Sequence, residues 1–260
     1  MFYIDIEETD STNKYLAEIA SDFPSMTMVS AVSQTAGRGQ RGNGWESFPG
    51  ENITASLLFR PKNIRPTEQF LISQATALAV VDTLNHFGIN AQVKWPNDIY
   101  IGNYKICGIL IENSLSSASI IHSIIGIGLN VNQIGFSPEI PNAVSMIHFL
   151  ERRTPLLEVK GVLSDMLVKN LLAADTPDGA ERIKSDYKAA LWRGDGKYHP
   201  FRDTKTDELF DAKIVDIEPA GPIMLETDSG EQRHYWFKEV QFLPDKDALA
   251  KKIRKYGGGF

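Results

Sequence analysis

The stretch AQVKWPNDIYIGNYKICGILIE, residues 91–112, decides how this chain folds. Ala91–Trp95 reads as a strand, Pro96-Asn-Asp98 as a turn and Ile99–Ile101 as a short strand. Gly102-Asn103 is a second turn, and Lys105–Glu112 an apolar strand. A serine-rich connection, Leu115–Ser119, leads into a further apolar strand at Ile120–Val131. Links this short join antiparallel neighbours, because parallel strands need a crossover of about a dozen residues or more. The stretch therefore predicts an α+β fold with a mixed, largely antiparallel sheet flanked by helices. It argues against a dinucleotide-binding βαβ unit, so Gly126 and Gly128 are not read as a phosphate fingerprint.

Upstream, Thr67 opens a helical segment that runs to about Phe87 and stops at Gly88. Ile53, Ala55, Leu57 and Phe59 alternate with Thr54, Ser56 and Arg60, the pattern of a half-buried strand. Thr27–Ser33 reads as another strand, and Phe2, Ile4 and Ile6 mark one more at the N-terminus. Asp10-Ser-Thr-Asn13 supplies capping side chains to a helix at Lys14–Ser21. Downstream, Thr154-Pro155 starts a helix to about 174, followed by a second at about 178–193. Gly194-Asp-Gly196 marks a domain boundary. The expected division is a large domain over 1–194, a small β domain over 205–244 and a charged tail over 245–260. Leu209–Ile217, Ile223–Glu226, Gln232–Phe237 and Glu239–Leu243 are the strands of the small domain.

Composition narrows the function classes. A formal charge of −6 argues against a general nucleic-acid binder, whose footprint is basic. No run of residues is apolar for long enough to span a membrane, and no secretory signal pattern opens the chain, so a cytoplasmic location is expected. The single cysteine, Cys107, lies in an apolar strand and reads as a packing residue. The five histidines lack metal-ligand spacing, and no zinc site is expected.

Between the strands at Thr27–Ser33 and Ile53–Phe59 lies QTAGRGQRGNGW, residues 34–45. Its glycines permit close backbone approach to a ligand, and successive N–H groups in such a run form an anion-binding concavity. Arg38 and Arg41 add forked positive charge, and Trp45 offers a flat face. Taken alone, the run is equally compatible with a solvated loop. Between two strands it makes a flap over the sheet, expected to be mobile until ligand closes it.

These stretches together resemble the catalytic domain of biotin–protein ligases. The resemblance rests on Asp10-Ser-Thr-Asn13, the Gly-Arg-Gly loop, Lys94-Trp-Pro-Asn-Asp98, Lys105-Ile-Cys-Gly-Ile-Leu-Ile-Glu112 and Gly126-Ile-Gly-Leu-Asn130, in that order. It covers about residues 1–150, and more loosely a C-terminal SH3-like β module to about 244. It implies a ligase that joins biotin and ATP into biotinyl-5'-adenylate and passes the biotinyl group to a lysine of a biotin carboxyl carrier domain, with Mg²⁺ neutralising the departing pyrophosphate.

The same resemblance implies roles. Lys105 would contact the biotin carboxylate and the phosphate, with Arg38 and Asp98 completing the catalytic set. Ser11, Thr12, Asn13, Gln34, Gly37, Arg38, Gly39, Gln40, Lys105 and Gly108 would hold biotin. Arg38, Arg41, Trp45, Lys94, Asn97 and Asn130 would hold ATP. Asp98 would orient or deprotonate the incoming lysine; Glu112 is left open between a metal ligand and an arginine partner. Gln40 and Asn43 stand where many family members carry basic residues, which puts retention of the adenylate in question. With Asp10 this near the N-terminus, the resemblance implies the single-function type that lacks a DNA-binding domain. It leaves the oligomeric state open, a homodimer included. The rival readings are a lipoate ligase or octanoyl transferase of similar fold, a biotin sensor without turnover and a transcriptional regulator.

Overall fold

The computed structural model describes residues 1–39 and 44–243. Expectations for Gln40, Arg41, Gly42, Asn43 and the tail at 245–260 lie outside the described residues.

The large sheet has seven strands: β1 (Phe2–Thr9), β2 (Thr27–Gln34), β3 (Ile53–Phe59), β4 (Gln92–Lys94), β5 (Asp98–Ile101), β6 (Tyr104–Leu115) and β7 (Ile120–Leu129), ordered β1-β2-β3-β7-β6-β5-β4. Only β1 and β2 run parallel; the other neighbours are antiparallel. The residues 91–112 thus form one meander at the sheet edge, as their short turns dictate.

The described residues form five α-helices: α1 (Thr12–Ile19), α2 (Phe70–His86), α3 (Ile147–Leu150), α4 (Leu156–Ala174) and α5 (Pro177–Ala189). Apolar side chains of α2, α4 and α5 pack with the sheet into the main core, which includes Leu57, Phe59, Ile72, Leu84, Leu167 and Tyr187. On the opposite face Leu16 of α1 and Ala20, just past its end, are buried against Val29, Leu58 and Ile124. Strand β3 is covered from both sides, so all seven of its residues are buried. The alternation of Ile53–Phe59 suggested one wet face; α1 sits on that face, and Thr54 and Ser56 are hydrogen-bonded there instead of solvated.

Helix α2 ends where Gly88 takes a φ of 76°, a conformation that suits glycine. At the start of α5, Thr176 is the N-cap, its Oγ1 accepting from the Gly179 N–H at 3.3 Å, with Pro177 in the first turn. Thr176→Ala is expected to destabilise the chain by about 1 kcal/mol, read as a lower midpoint in thermal or urea unfolding.

The second sheet has five antiparallel strands, β8 (His199–Asp203), β9 (Leu209–Ile217), β10 (Ile223–Thr227), β11 (Gln232–Tyr235) and β12 (Val240–Phe242), ordered β11-β10-β9-β8-β12. It fits an SH3-like module. Strand β8 precedes the expected start of that module at 205, and its Pro200 hid it from a reading by strand propensity. The two sheets touch through Trp95, whose indole N–H donates to the Gly221 carbonyl at 2.8 Å and whose ring meets Phe237 edge-on at 6.4 Å.

Candidate active site

The N-terminus of α1, the neck of the glycine-rich loop and strands β3, β5, β6 and β7 converge on one cleft of about 120 Å³. Its lining includes Ser11, Thr12, Asn13, Gln34, Arg38, Gly39, Trp45, Asn97, Asp98, Lys105 and Gly108, elements far apart in the chain.

Strand pairing sets the floor. Gly108 on β6 lies opposite Gly128 on β7, and Gly126 pairs with both Leu110 and Ser56. Without side chains these positions leave a trough, and the indole of Trp45 lies in it. A Cβ on Gly128 would fall 2.5 Å from Trp45 Cζ2, and one on Gly108 would sit 3.0 Å from Cζ3. The indole Nε1 is buried without a partner among the described residues. The loop neck is closed by the Trp45 N–H, which donates to the Gly37 carbonyl at 2.9 Å; a Cβ on Gly37 would meet the Trp45 carbonyl at 2.5 Å.

One wall is ionic. Lys105 Nζ and Asp98 Oδ1 are 2.7 Å apart, each side chain less than a third exposed. The Lys105 backbone is held on both sides, its N–H donating to the Asn142 carbonyl and its carbonyl accepting from Val144 N–H. The chain is therefore fixed while the ammonium reaches into the cleft, 5.7 Å from the Trp45 ring centroid. Asn97 Nδ2 donates to the Ile109 carbonyl at 2.6 Å and locks the turn that carries Asp98.

The other wall is a hydrogen-bonded chain. Gln34 Oε1 accepts from the Thr12 backbone N–H at 2.8 Å and from Thr12 Oγ1 at 3.1 Å. Ser56 Oγ lies 2.8 Å from Thr12 Oγ1 and 2.6 Å from Asn13 Oδ1. Asn13 Nδ2 donates to Glu112 Oε2 at 2.7 Å, and Arg38 Nη2 donates to the same oxygen at 3.3 Å. Ser11 is the N-cap residue of α1 but makes no side-chain capping bond. The tetrapeptide Asp10–Asn13 was expected to cap the helix. Thr12 and Asn13 instead begin it and turn their side chains across the sheet. The run of short polar residues gave no sign of partners so far away in sequence.

Two residues expected to hold ATP, Lys94 and Asn130, are not among the residues that line the cleft. Lys94 Nζ donates to Tyr100 Oη at 2.9 Å and sits over the Tyr100, Trp192 and Phe242 rings, outside the cleft lining. Burial among those rings lowers the pKa of its ammonium below the usual lysine range. Asn130 is buried just past the end of β7, its Nδ2 donating to the Val144 carbonyl at 2.9 Å while Oδ1 has no partner among the described residues. Cys107 is fully buried in β6 and its thiol is pushed up by burial, which agrees with a packing role. Sequence reasoning missed Ser56 and Phe237. Ser56 looked like a solvent-facing strand residue but is buried and bonded to Thr12 and Asn13, and Phe237 reaches the cleft lining from the turn between β11 and β12, a placement no local pattern reveals.

The site is that of an α+β protein whose cleft has two cations on its walls, each paired with a carboxylate, and a floor cleared by glycines. Residues 6–130 match the model of the biotin/lipoate A/B protein ligase family. The bifunctional ligase/repressor BirA of Bacillus spizizenii is 32% identical over 239 residues, 86% of this chain and 69% of that protein. BirA of Bacillus subtilis is 40% identical over 126 residues, 47% of this chain and 38% of that protein. The biotin–[acetyl-CoA-carboxylase] ligase of Paracoccus denitrificans is 33% identical over 129 residues, 48% of this chain and 53% of that one. The biotin protein ligase of Aquifex aeolicus, solved with biotin and ATP, has a TM-score of 0.76 at 24% identity, covering 94% of this chain and 99% of that chain, a likeness of fold. The chain belongs to the biotin/lipoate A/B protein ligase family.

Proposed function

We infer that this chain is an ATP-dependent biotin–protein ligase. The observation that carries the reading is the meeting of the Lys105–Asp98 pair, Arg38, Gln34, Thr12 and Asn13 on one cleft, with buried Ser56 bonded to Thr12 and Asn13. In the first step a carboxylate oxygen of biotin attacks the α-phosphorus of ATP, and the bond to pyrophosphate breaks. Both reactants are anions, so fixed positive groups at the developing charge contribute most to the rate. Lys105 and Arg38 supply that charge. Mg²⁺ enters as the MgATP complex, with the phosphates among its ligands. Among the described residues no cluster of three or more His, Cys, Asp or Glu side chains is placed to hold a metal by itself.

In the second step the neutral ε-amine of an acceptor lysine attacks the acyl carbon, the bond to AMP breaks, and the amine loses a proton. Once the phosphate competes for Lys105, Asp98 is released to orient that amine or accept its proton. The acceptor is a biotin carboxyl carrier domain, and the reaction belongs to the cytoplasm.

The polar chain suits a ureido ring. Gln34 Oε1 and Asn13 Oδ1 are both acceptors, and between them Thr12 and Ser56 carry two hydroxyl protons for three oxygen–oxygen contacts. An N–H from a cyclic urea supplies the missing donor. Biotin-dependent exchange of pyrophosphate into ATP tests the first step. Exchange that needs biotin, and that lipoate or octanoate does not support, is the expected result; exchange driven equally by those acids would overturn the assignment.

Gln40, outside the described residues, bears on retention of the intermediate. A charged hydrogen bond is roughly twice as strong as a neutral one. Gln40→Arg is therefore expected to slow escape of preformed biotinyl-adenylate several-fold and to reduce stray labelling of non-carrier lysines. Dissociation rates of wild type and variant, measured side by side, check it.

A further inference from the structure

The exposed carboxylate of Glu112 is the point where the polar chain ends. Its Oε2 accepts from Asn13 Nδ2 on α1 and from Arg38 Nη2 in the loop neck. A carboxylate accepts and never donates. Glu112 therefore favours one orientation of the Asn13 amide: Nδ2 toward β6, Oδ1 toward Ser56 and beside Gly126, which lines the cleft. An asparagine amide has two nearly isosteric orientations, and Glu112 makes the shorter, charged one of the two contacts that choose between them here. Ser56 Oγ could accept from an Nδ2 as readily as it donates to an Oδ1, and the Leu110 carbonyl, 3.3 Å from Nδ2, adds a neutral contact to the charged one at 2.7 Å.

We propose that Glu112 is a positioning residue for ligand recognition: its charge fixes Asn13 as an acceptor toward the ureido N–H of biotin and at the same time aims Arg38 along the cleft wall. The proposal rests on the reading of this cleft as a biotin site. It also resolves Glu112 as an arginine partner. The contact with Arg38 is half exposed, and an ion pair of that kind contributes little to stability. The role of Glu112 is orientation, so its loss is read in binding and not in unfolding.

The test is biotin binding by calorimetry, without ATP, in wild type, Glu112→Gln, Asn13→Ala and the double variant. Glutamine keeps the size of the side chain but removes the charge and adds a donor facing Arg38, so the Asn13 amide is free to turn. Glu112→Gln is expected to weaken biotin binding about tenfold in the wild-type background and less than about twofold in the Asn13→Ala background, the non-additivity of residues that act through one another. Its melting temperature should stay within about 2 °C of wild type, the behaviour of a surface pair. A merely structural role would give the same factor in both backgrounds. Equal factors, or unchanged biotin affinity in Glu112→Gln, overturn the proposal. If wild type itself does not bind biotin, the reading of the cleft falls instead. Amide exchange of the ligand-free chain then still tests the positioning: faster exchange over Thr35–Gly39 in Glu112→Gln supports the anchoring of Arg38, and unchanged exchange removes it.

Discussion

Lys105→Ala is expected to slow biotin-dependent adenylate formation by more than tenfold, an increase in barrier above about 1.4 kcal/mol. The N–H and the carbonyl of Lys105 are both bonded to the segment 142–144, so the substitution removes the ammonium and leaves the strand in place. What remains is Asp98, a carboxylate whose partner 2.7 Å away is gone, facing a site that must accept a carboxylate and a triphosphate. The variant thus loses an attraction and gains a repulsion. The loss belongs to the step in which charge develops, so kcat for pyrophosphate exchange should fall together with kcat/KM. Wild-type exchange in the variant would remove Lys105 from the mechanism.

Gly126→Ala is expected to raise the KM for biotin by roughly tenfold, within the ~1–3 kcal/mol that a broken buried hydrogen bond costs. The new Cβ would stand 3.0 Å from Asn13 Cγ and 3.1 Å from Nδ2, and closer still to Oδ1. Asn13 is buried, and its amide is committed to Ser56 and Glu112. It can make room only by breaking those bonds. Strand β7 pairs on both sides at this position and cannot retreat. Initial rates over a biotin titration at saturating ATP are the measurement, and a KM equal to wild type would show that Asn13 takes no part in biotin binding.

Both effects depend on side chains meeting across strands, and this is where the sequence was least legible. The meander of residues 91–112 could be read because its turns are local: Pro96-Asn-Asp98 and Gly102-Asn103 leave the strands no distant partner to choose. Gly88 marked the end of α2 for a similar reason, a backbone conformation that glycine favours. Strand β3 read as half-wet because alternation reports on one strand and says nothing of the helix that arrives on its other face. Helix α3 has four residues, too few to show a period.

The candidate site followed the same division. The polar residues lining the cleft were individually visible in short motifs, and the family resemblance grouped them; Phe237 was not visible in this way. What the motifs did not contain was their wiring. Glu112 had two readings until Asn13 and Arg38 were found on the same oxygen. Lys94 read as a strand lysine facing phosphate, yet the rings of Tyr100, Trp192 and Phe242 meet around it, contributed by three separate parts of the chain.

The most direct test of the account is to incubate the full chain with MgATP, biotin and a biotin carboxyl carrier domain, and to weigh the carrier by mass spectrometry. The account predicts the mass of one biotinyl group added to a single carrier lysine, dependent on both ATP and biotin. A carrier of unchanged mass in the presence of active ATP and biotin, or one carrying a lipoyl or octanoyl group in its place when those acids compete, would contradict it.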